Sequence, residues 1–228
     1  MQRVDERKPS RSWVDEARVR FDAANDGLLL QTRALLGRLI ADPARHARFA
    51  NTLALLEHIG SYKIMVSQHS PHIERATLRH IAEEAQHAHV MRRHAEKTLG
   101  RPLGFTATDL LAPAAARMYF QRLEARVLGR LRARHSAVAT YLYVSLVIEL
   151  RALWFYGLYN QALRSAGIGS PLRRILGEEE HHLHEMADRL ESAGERSDAR
   201  ADEFVAFERR LYGNLLAAMR RELQARLG

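Results

Sequence analysis

The 228-residue sequence contains no cysteine. That removes disulfides, thiolate zinc sites, iron–sulfur clusters and a cysteine nucleophile. Any redox chemistry would draw its electrons from a separate donor. Lysine is scarce too: 32 of the 35 basic residues are Arg, a skew that reflects GC-rich coding more readily than selection for phosphate. No stretch alternates apolar with polar residues as a half-buried strand does. The first residues, MQRVDERKPSRSW, lack the apolar run of a secretory signal, so the expected location is the cytoplasm.

What is present is ordinary globular composition, 46% apolar and 27% charged, enough for one domain spanning 1–228. The net charge of +8 is mostly dispersed among alternating acids and arginines. The exception is 117–134, where Arg117, Arg122, Arg126, Arg130, Arg132 and Arg134 face a single acid, Glu124. A solvated face is the favoured reading there, and an acidic partner such as nucleic acid the less favoured one. From 137 to 163 the only charges are Glu149 and Arg151. The length would suit a membrane span of about 20 residues, but Glu149, Arg151, Asn160 and Gln161 would be costly in lipid. A central core helix is expected instead.

Caps and breakers divide the chain into helices at about 12–25, 26–39, 44–69, 71–99, 108–133, 136–164, 170–193 and 198–227. Ser12 and Asp26 are candidate N-caps, and Ser70-Pro71 and Ser170-Pro171 are start signals. The expected fold is all-α. Its bundle core would be 44–69, 71–99, 136–164 and 170–193, with accessory helices at 12–39, 108–133 and 198–227.

The sequence E-E-x-x-H-x-H occurs twice, at 83–89 and 178–184, 95 residues apart. Each contains Glu and His three apart, which a helix places on one face. In 170–193 the apolar stripe steps through 172, 175, 179, 182, 186 and 190, so Glu179 and His182 point inward. Glu178 and His181 fall in line with Arg174 and Glu185, a solvated face. In 71–99 the stripe runs through 73, 77, 81, 84, 87 or 88, 91 and 95. Glu84 and His87 are therefore inward, whereas Glu83 shares a face with Arg79 and Glu96. Glu57 interrupts the stripe Phe49, Leu53, Leu56, Gly60, Ile64, and Glu149 is the only acid of its helix.

A lone buried carboxylate is costly unless paired, protonated or bound to metal. Glu149 could pair with Arg151, and Glu57 could sit at a boundary. Four carboxylates and two histidines in one apolar core, however, need positive charge, and two divalent cations supply it. The metal ligands expected are Glu57, Glu84, His87, Glu149, Glu179 and His182.

One Glu, a Glu-x-x-His, a second Glu and a second Glu-x-x-His on four helices resemble the ferritin-like superfamily of carboxylate-bridged dimetal proteins. The match covers about 44–193. The resemblance implies a ferritin-like four-helix bundle. It assigns Glu57, Glu84 and His87 to one ion and Glu149, Glu179 and His182 to the other, with one carboxylate of each Glu-x-x-His bridging. It implies two iron ions, manganese or a mixed Mn/Fe pair being alternatives, with O2 as co-substrate and a separate reductase. One offset tests it. Glu149 lies 16 residues before Ser165 but Glu179 only nine after Ser170. The Gly-rich loop between them must then descend about 10 Å.

His80 stands one turn before Glu84, an arrangement similar to the third histidine of diiron arylamine N-oxygenases, although there it belongs to the other helix pair. Its plainer reading is a residue that supports the ligands or faces solvent. Gly60 leaves space beside Glu57 for a substrate or for close helix packing. Tyr62 and Tyr156, with Tyr141, Tyr143 and Trp154, could line a pocket, although aromatics at helical spacing are more often core. His89 and His184 lie about 200° round from the ligand histidines and face water or a subunit contact, such as that of a homodimer. The expected function is an O2-activating oxidase or oxygenase acting on a small organic substrate. The alternatives are a ferroxidase, iron-handling or peroxide-protective protein, and a tRNA-directed hydroxylase using 117–134.

Overall fold

A computed structural model describes residues 12–68, 71–131 and 137–225. The polar lead-in 1–11, Ser70, Arg132, Arg134 and the tail 226–228 lie outside the described residues, so the expectations placed on them do too. Among the described residues there are seven helices and no strand.

The first helix, α1 (Trp13–Ile40), opens on the Ser12 cap, whose hydroxyl accepts from the Asp15 amide while the Asp15 carboxylate accepts from the Ser12 amide. It runs unbroken past Asp26, so the two helices expected at 12–25 and 26–39 are one. Asp26 is exposed and caps nothing. The neighbouring Asn25 explains the continuity. Its amide donates to the Phe21 carbonyl within the helix, and its carbonyl accepts from a buried arginine. Tertiary contacts thus override the local turn preference.

Helix α2 (Pro43–Ser67) starts on Asp42, with proline at its first position. Helix α3 (Arg75–Leu99) ends on Gly100, whose φ of 74° is the left-handed cap conformation. It begins later than the expected 71. Residues 71–75 are all exposed, Ile73 at 38%, so little burial is available there to stabilise a helical turn. Helix α4 (Pro113–Leu131) also begins late, with Pro113 rather than Thr108 at its start. Residues 103–112 form a loop tied to α2 instead. Asn51 donates to the Gly104 and Asp109 carbonyls, and Thr52 both donates to the Leu111 carbonyl and accepts from its amide. Leu110 and Leu111 are fully buried at 0% exposure, which holds this loop out of helix.

Helices α5 (Ala137–Ser165), α6 (Leu172–Ser192) and α7 (Asp198–Ala225) complete the chain. Helices α2 and α3 form one antiparallel hairpin, and α5 and α6 another. The hairpins meet along α3 and α6, where Arg79 bonds Glu185 and Arg189 bonds Thr77. They meet again along α2 and α5, where His46 bonds Tyr159. Helices α1, α4 and α7 cover the outer side of α5. By length and composition α5 could cross a membrane, yet 67% of its apolar stretch is buried within the fold, as expected of a core helix.

Arg151 does not pair with Glu149. Its Nε and Nη2 each donate to Glu208 of α7 at 2.8 Å, and Nη2 also donates to Asn25 of α1 at 2.6 Å. Glu208, at 0% exposure, also accepts from the Tyr119 hydroxyl of α4. Four helices thus meet at one buried ion pair. On the surface, Arg126 and Arg130 of the Arg-rich helix both bond Glu203 of α7, so part of that charge is spent within the fold.

Candidate metal centre

Glu57 of α2, Glu84 and His87 of α3, Glu149 of α5, and Glu179 and His182 of α6 are all buried. The stripe of α6 is buried as periodicity requires, from Leu172 and Ile175 through Glu179 and His182 to Met186 and Leu190. Residues 166–171 absorb the offset of the second hairpin, and Glu149 meets Glu179 across it. On α3 the inward set includes His80, fully buried, while Ile81 is only partly buried.

Two groups of donor atoms form. One atom each of Glu57, Glu84, His87 and Glu179 lie within 4.8 Å of one another, as do one each of His80, Glu84, Glu149 and His182. Glu84 belongs to both, which is the position of a bridging carboxylate. His80 enters the second group: its Nε2 is 3.1 Å from Glu149 Oε1 and 3.4 Å from Glu84 Oε1, and its Nδ1 is 3.0 Å from the Tyr141 hydroxyl. Glu179 stands in the first group while also lying 3.1 Å from His182 Nδ1.

The orientation of both Glu-x-x-His histidines has a source that periodicity missed. His87 Nε2 is 2.9 Å from Glu178, and His182 Nε2 is 2.7 Å from Glu83. The first Glu of each repeated stretch therefore holds the histidine of the other stretch. Neither acid is on a fully solvated face, their side chains being only 22% and 18% exposed for Glu83 and Glu178. With Nε2 engaged, Nδ1 of each ring faces the carboxylates. His87 Nδ1 is buried without a hydrogen-bond partner, 3.3 Å from Glu179 and 3.8 Å from Glu84. A histidine held by a carboxylate at one nitrogen and bare at the other is the arrangement of a metal ligand. The signal that could have found it is the doubled Glu, repeated at 83–84 and 178–179.

Electrostatics agree with a site built for cations. Burial, and then the charges of Glu84 and Glu179, push the Glu57 carboxyl well above its usual range. Burial, with Glu179 and Glu84, does the same to Glu149. Burial opposes charge on the three imidazoles, but carboxylate neighbours outweigh it. Glu84 raises His80, Glu179 raises His87, and Glu179 with Glu149 raises His182, each to about 9. Glu179 is driven the other way: burial would raise it, yet His182 and His87 hold it well below the usual carboxylate range. Without metal, the cluster is neutralised by protons, and a cation would displace them.

Two cavities adjoin the cluster, and Glu84 and Glu149 border both. The first, of about 80 Å³, lies among α1, α2, α4, α5 and α7, and Glu57 and Glu179 also line it. The second, of about 190 Å³, lies among α2, α3, α4 and α5, with His80 and Tyr141 in its wall. Gly60 borders this second space, and a Cβ there would stand 3.2 Å from Glu84 Oε2. Tyr156 lines the first, and its hydroxyl donates to Glu57 Oε1. Tyr62 does neither. It is 56% exposed on the outer face of α2. Tyr143 donates to the Glu195 carbonyl, and Trp154 packs edge-on against Tyr212. His89 and His184 are exposed.

No protein-family model, curated protein or solved structure matches the chain. The case for a metal centre therefore stands on its donors. Buried carboxylate oxygens and imidazole nitrogens converge in two groups sharing one Glu, and an unpartnered His87 nitrogen points among them. Such donors can hold a metal ion.

Proposed function

We propose that the chain is a dinuclear non-haem iron protein of the ferritin-like kind, an oxidase or oxygenase that activates O2 against a small organic substrate. The observation that carries this reading is the reciprocal exchange of Glu83 and Glu178 between His182 and His87. A mere surface ion-pair network would not leave the buried Nδ1 of His87 bare in a carboxylate cluster. Glu57, Glu84, His87 and Glu179 would hold one ion, and His80, Glu84, Glu149 and His182 the other. When bound, two iron ions supply electrons to O2 and are restored by a separate reductase.

The chain's own residues prepare that chemistry. Glu178 and Glu83 engage Nε2 of His87 and His182, which leaves Nδ1 of each ring as the nitrogen that a cation would take once its proton is displaced. Tyr156 holds one oxygen of Glu57 and leaves the other free. The apolar walls of the first cavity, including Phe49, Leu53, Phe120 and Ile148, exclude water from the carboxylates. A cavity of this kind favours an organic substrate over an iron-storage role, for which no apolar chamber is needed.

The test is anaerobic titration of the full chain with Fe(II), followed by exposure to air. Two irons per chain and O2 consumption tied to them are expected. One iron or none, or two irons with no O2 uptake, sinks the proposal. Many irons per chain, with a large assembly on size-exclusion chromatography, would point to iron handling. Salt-sensitive binding of tRNA would instead support the hydroxylase alternative.

A further inference from the structure

The second cavity holds a buried hydroxyl that nothing in the protein answers. Tyr141, Ser145 and Glu149 follow one another at four-residue steps on α5, so they share a face, and all three line this cavity. His80 joins the two ends of the row. Its Nδ1 is 3.0 Å from the Tyr141 hydroxyl and its Nε2 is 3.1 Å from Glu149 Oε1. Ser145 stands between them and is only 6% exposed. A serine or threonine inside a helix often turns its hydroxyl back to the carbonyl four residues earlier, as Thr52 does toward Arg48 on α2. The Ser145 hydroxyl makes no such bond, nor any other among the described residues. Neither is its oxygen one of the unpartnered atoms sealed away from water. It is open, and the cavity is the space it opens to.

Other polar side chains on this wall are engaged. The Tyr141 hydroxyl meets His80, the Ser67 hydroxyl donates to the Ile64 carbonyl at 2.7 Å, and Lys63 of α2 donates to Glu124 of α4. A buried hydroxyl without a partner costs free energy that a ligand's polar atom would recover. Apolar groups fill much of the remaining wall, Phe120, Leu128, Val144 and Ile148 among them. The space reaches the surface at Val66, which is 45% exposed, and beside the partly exposed Lys63–Glu124 pair. It ends on Glu84 and Glu149 of the candidate centre.

We infer that the second cavity is the organic-substrate chamber and that Ser145 is its specificity-determining residue. The ligand is an uncharged, one-ring molecule with a single hydroxyl or carbonyl oxygen, which bonds the Ser145 hydroxyl. That this ligand is a substrate rests on the proposed function, whereas its binding here does not. Size follows from volume. The second cavity's 190 Å³ exceeds the ~150 Å³ of an apolar cavity that holds benzene, and the first cavity's 80 Å³ falls well short of it. Neutrality follows from the charges. An anion would meet Glu84 and Glu149 at the inner end, and Lys63 is already bonded to Glu124. A cation would compete with metal for those same carboxylates. Position follows from the helix. Ser145 lies one turn, about 5.4 Å along the axis, from Glu149, so a ligand held at its oxygen keeps the neighbouring carbons beside the centre.

The experiment is calorimetric titration of the full chain, metal-free and Zn(II)-loaded, with benzyl alcohol and with ethylbenzene, which puts a methyl in place of the hydroxyl. Ser145→Ala is expected to weaken benzyl alcohol about tenfold relative to ethylbenzene, without weakening ethylbenzene itself. Because Ser145 has no partner to lose and alanine is the better helix former, the variant should be at least as stable as wild type in urea. Benzoate, titrated only into the metal-free chain so that no ion takes its carboxylate, should bind more weakly than benzyl alcohol. Val144→Phe from α5 should fill the chamber and abolish binding of both probes. Leu128→Phe fills it from α4, in case the first of these does not fold.

A ratio of the two affinities that Ser145→Ala leaves unchanged overturns the inference. So does binding that survives a filled chamber, benzoate binding more tightly than benzyl alcohol, or no probe binding at all. The two readings fail separately. A Ser145-dependent ratio in a chain that takes up no Zn(II) leaves the chamber standing and removes the metal centre. Two ions per chain with no Ser145-dependent ratio does the reverse.

Discussion

Glu83 lies 2.7 Å from Nε2 of His182, a residue 99 positions away, and Glu178 makes the matching contact with His87 at 2.9 Å. The two repeated stretches are thus interlocked, each supplying the acid that orients the other's imidazole. Carboxylates that hold ligand histidines typically contribute 10–100-fold to metal affinity, as a rough scale. Glu83→Gln and Glu178→Gln are each expected to weaken metal binding by about that factor. Competition with a chromophoric chelator would measure it. Unchanged affinity in both variants would reduce the contacts to ordinary surface pairs.

His80 provides a sharper test of the second donor group. Its Nε2 sits 3.1 Å from Glu149 while Tyr141 engages Nδ1. His80→Ala should lower metal content toward one ion per chain, since the group of Glu57, Glu84, His87 and Glu179 keeps its own histidine. Elemental analysis after dialysis would show it. Retention of two ions at wild-type affinity would assign His80 to support alone.

Protons and metal compete for the same cluster. His80, His87 and His182 are raised from 6.5 to about 9. A raised histidine adds stability that is complete below pH 6.5 and is lost as pH climbs through 9. Glu57 and Glu149, also raised, act in the same sense from 4.5 upward. The metal-free protein should therefore melt at progressively lower temperature between pH 6.5 and 9, and the loaded protein much less so. Metal uptake near pH 7 should release protons, readable by calorimetry in buffers of different ionisation heat. A flat melting profile for the metal-free chain would contradict this account.

Gly60→Ala separates stability from binding. Alanine gains up to about 1 kcal/mol over glycine inside a helix, but its Cβ would stand 3.2 Å from Glu84 Oε2. Since Glu84 serves both donor groups, the expected result is a metal-free protein at least as stable as wild type with weaker metal binding. Urea unfolding and the chelator titration together would check it.

Arg151→Ala would leave Glu208 buried and unpaired, at 0% exposure. Breaking such a pair costs about 3–5 kcal/mol, whereas removing both partners together is often close to neutral. Arg151→Met with Glu208→Gln should thus recover most of that loss in denaturant midpoints. Equal destabilisation by the single and double variants would mean that the pair itself stabilises the fold.

Much of the arrangement follows from local rules. The three-and-four spacing of Leu172, Ile175, Glu179, His182, Met186 and Leu190 selects the buried face of α6 because a helix turns every 3.6 residues. Gly100 ends α3 because its left-handed φ suits glycine. Local rules failed where distant groups compete. Asp26 reads as a cap, but Asn25 is bound into α1 by Arg151. Thr108 reads as a helix start, but residues 109–112 are tied down by Asn51, Thr52 and Glu222. Tyr62 reads as a pocket residue, but its side chain stays 56% exposed.

By itself the sequence determined the all-helical fold and the inward turn of Glu57, Glu84, His87, Glu149, Glu179 and His182, since periodicity within one helix decides both, whereas buried Glu208 and His46 were not legible in it. Only the tertiary structure decided which of them meet. Helix-to-helix register brings Glu83 against His182, adds His80 to a donor group, and sends Arg151 to Glu208 rather than Glu149. Those pairings join residues 57 to 99 positions apart, and spacing along one helix carries no information about register between two.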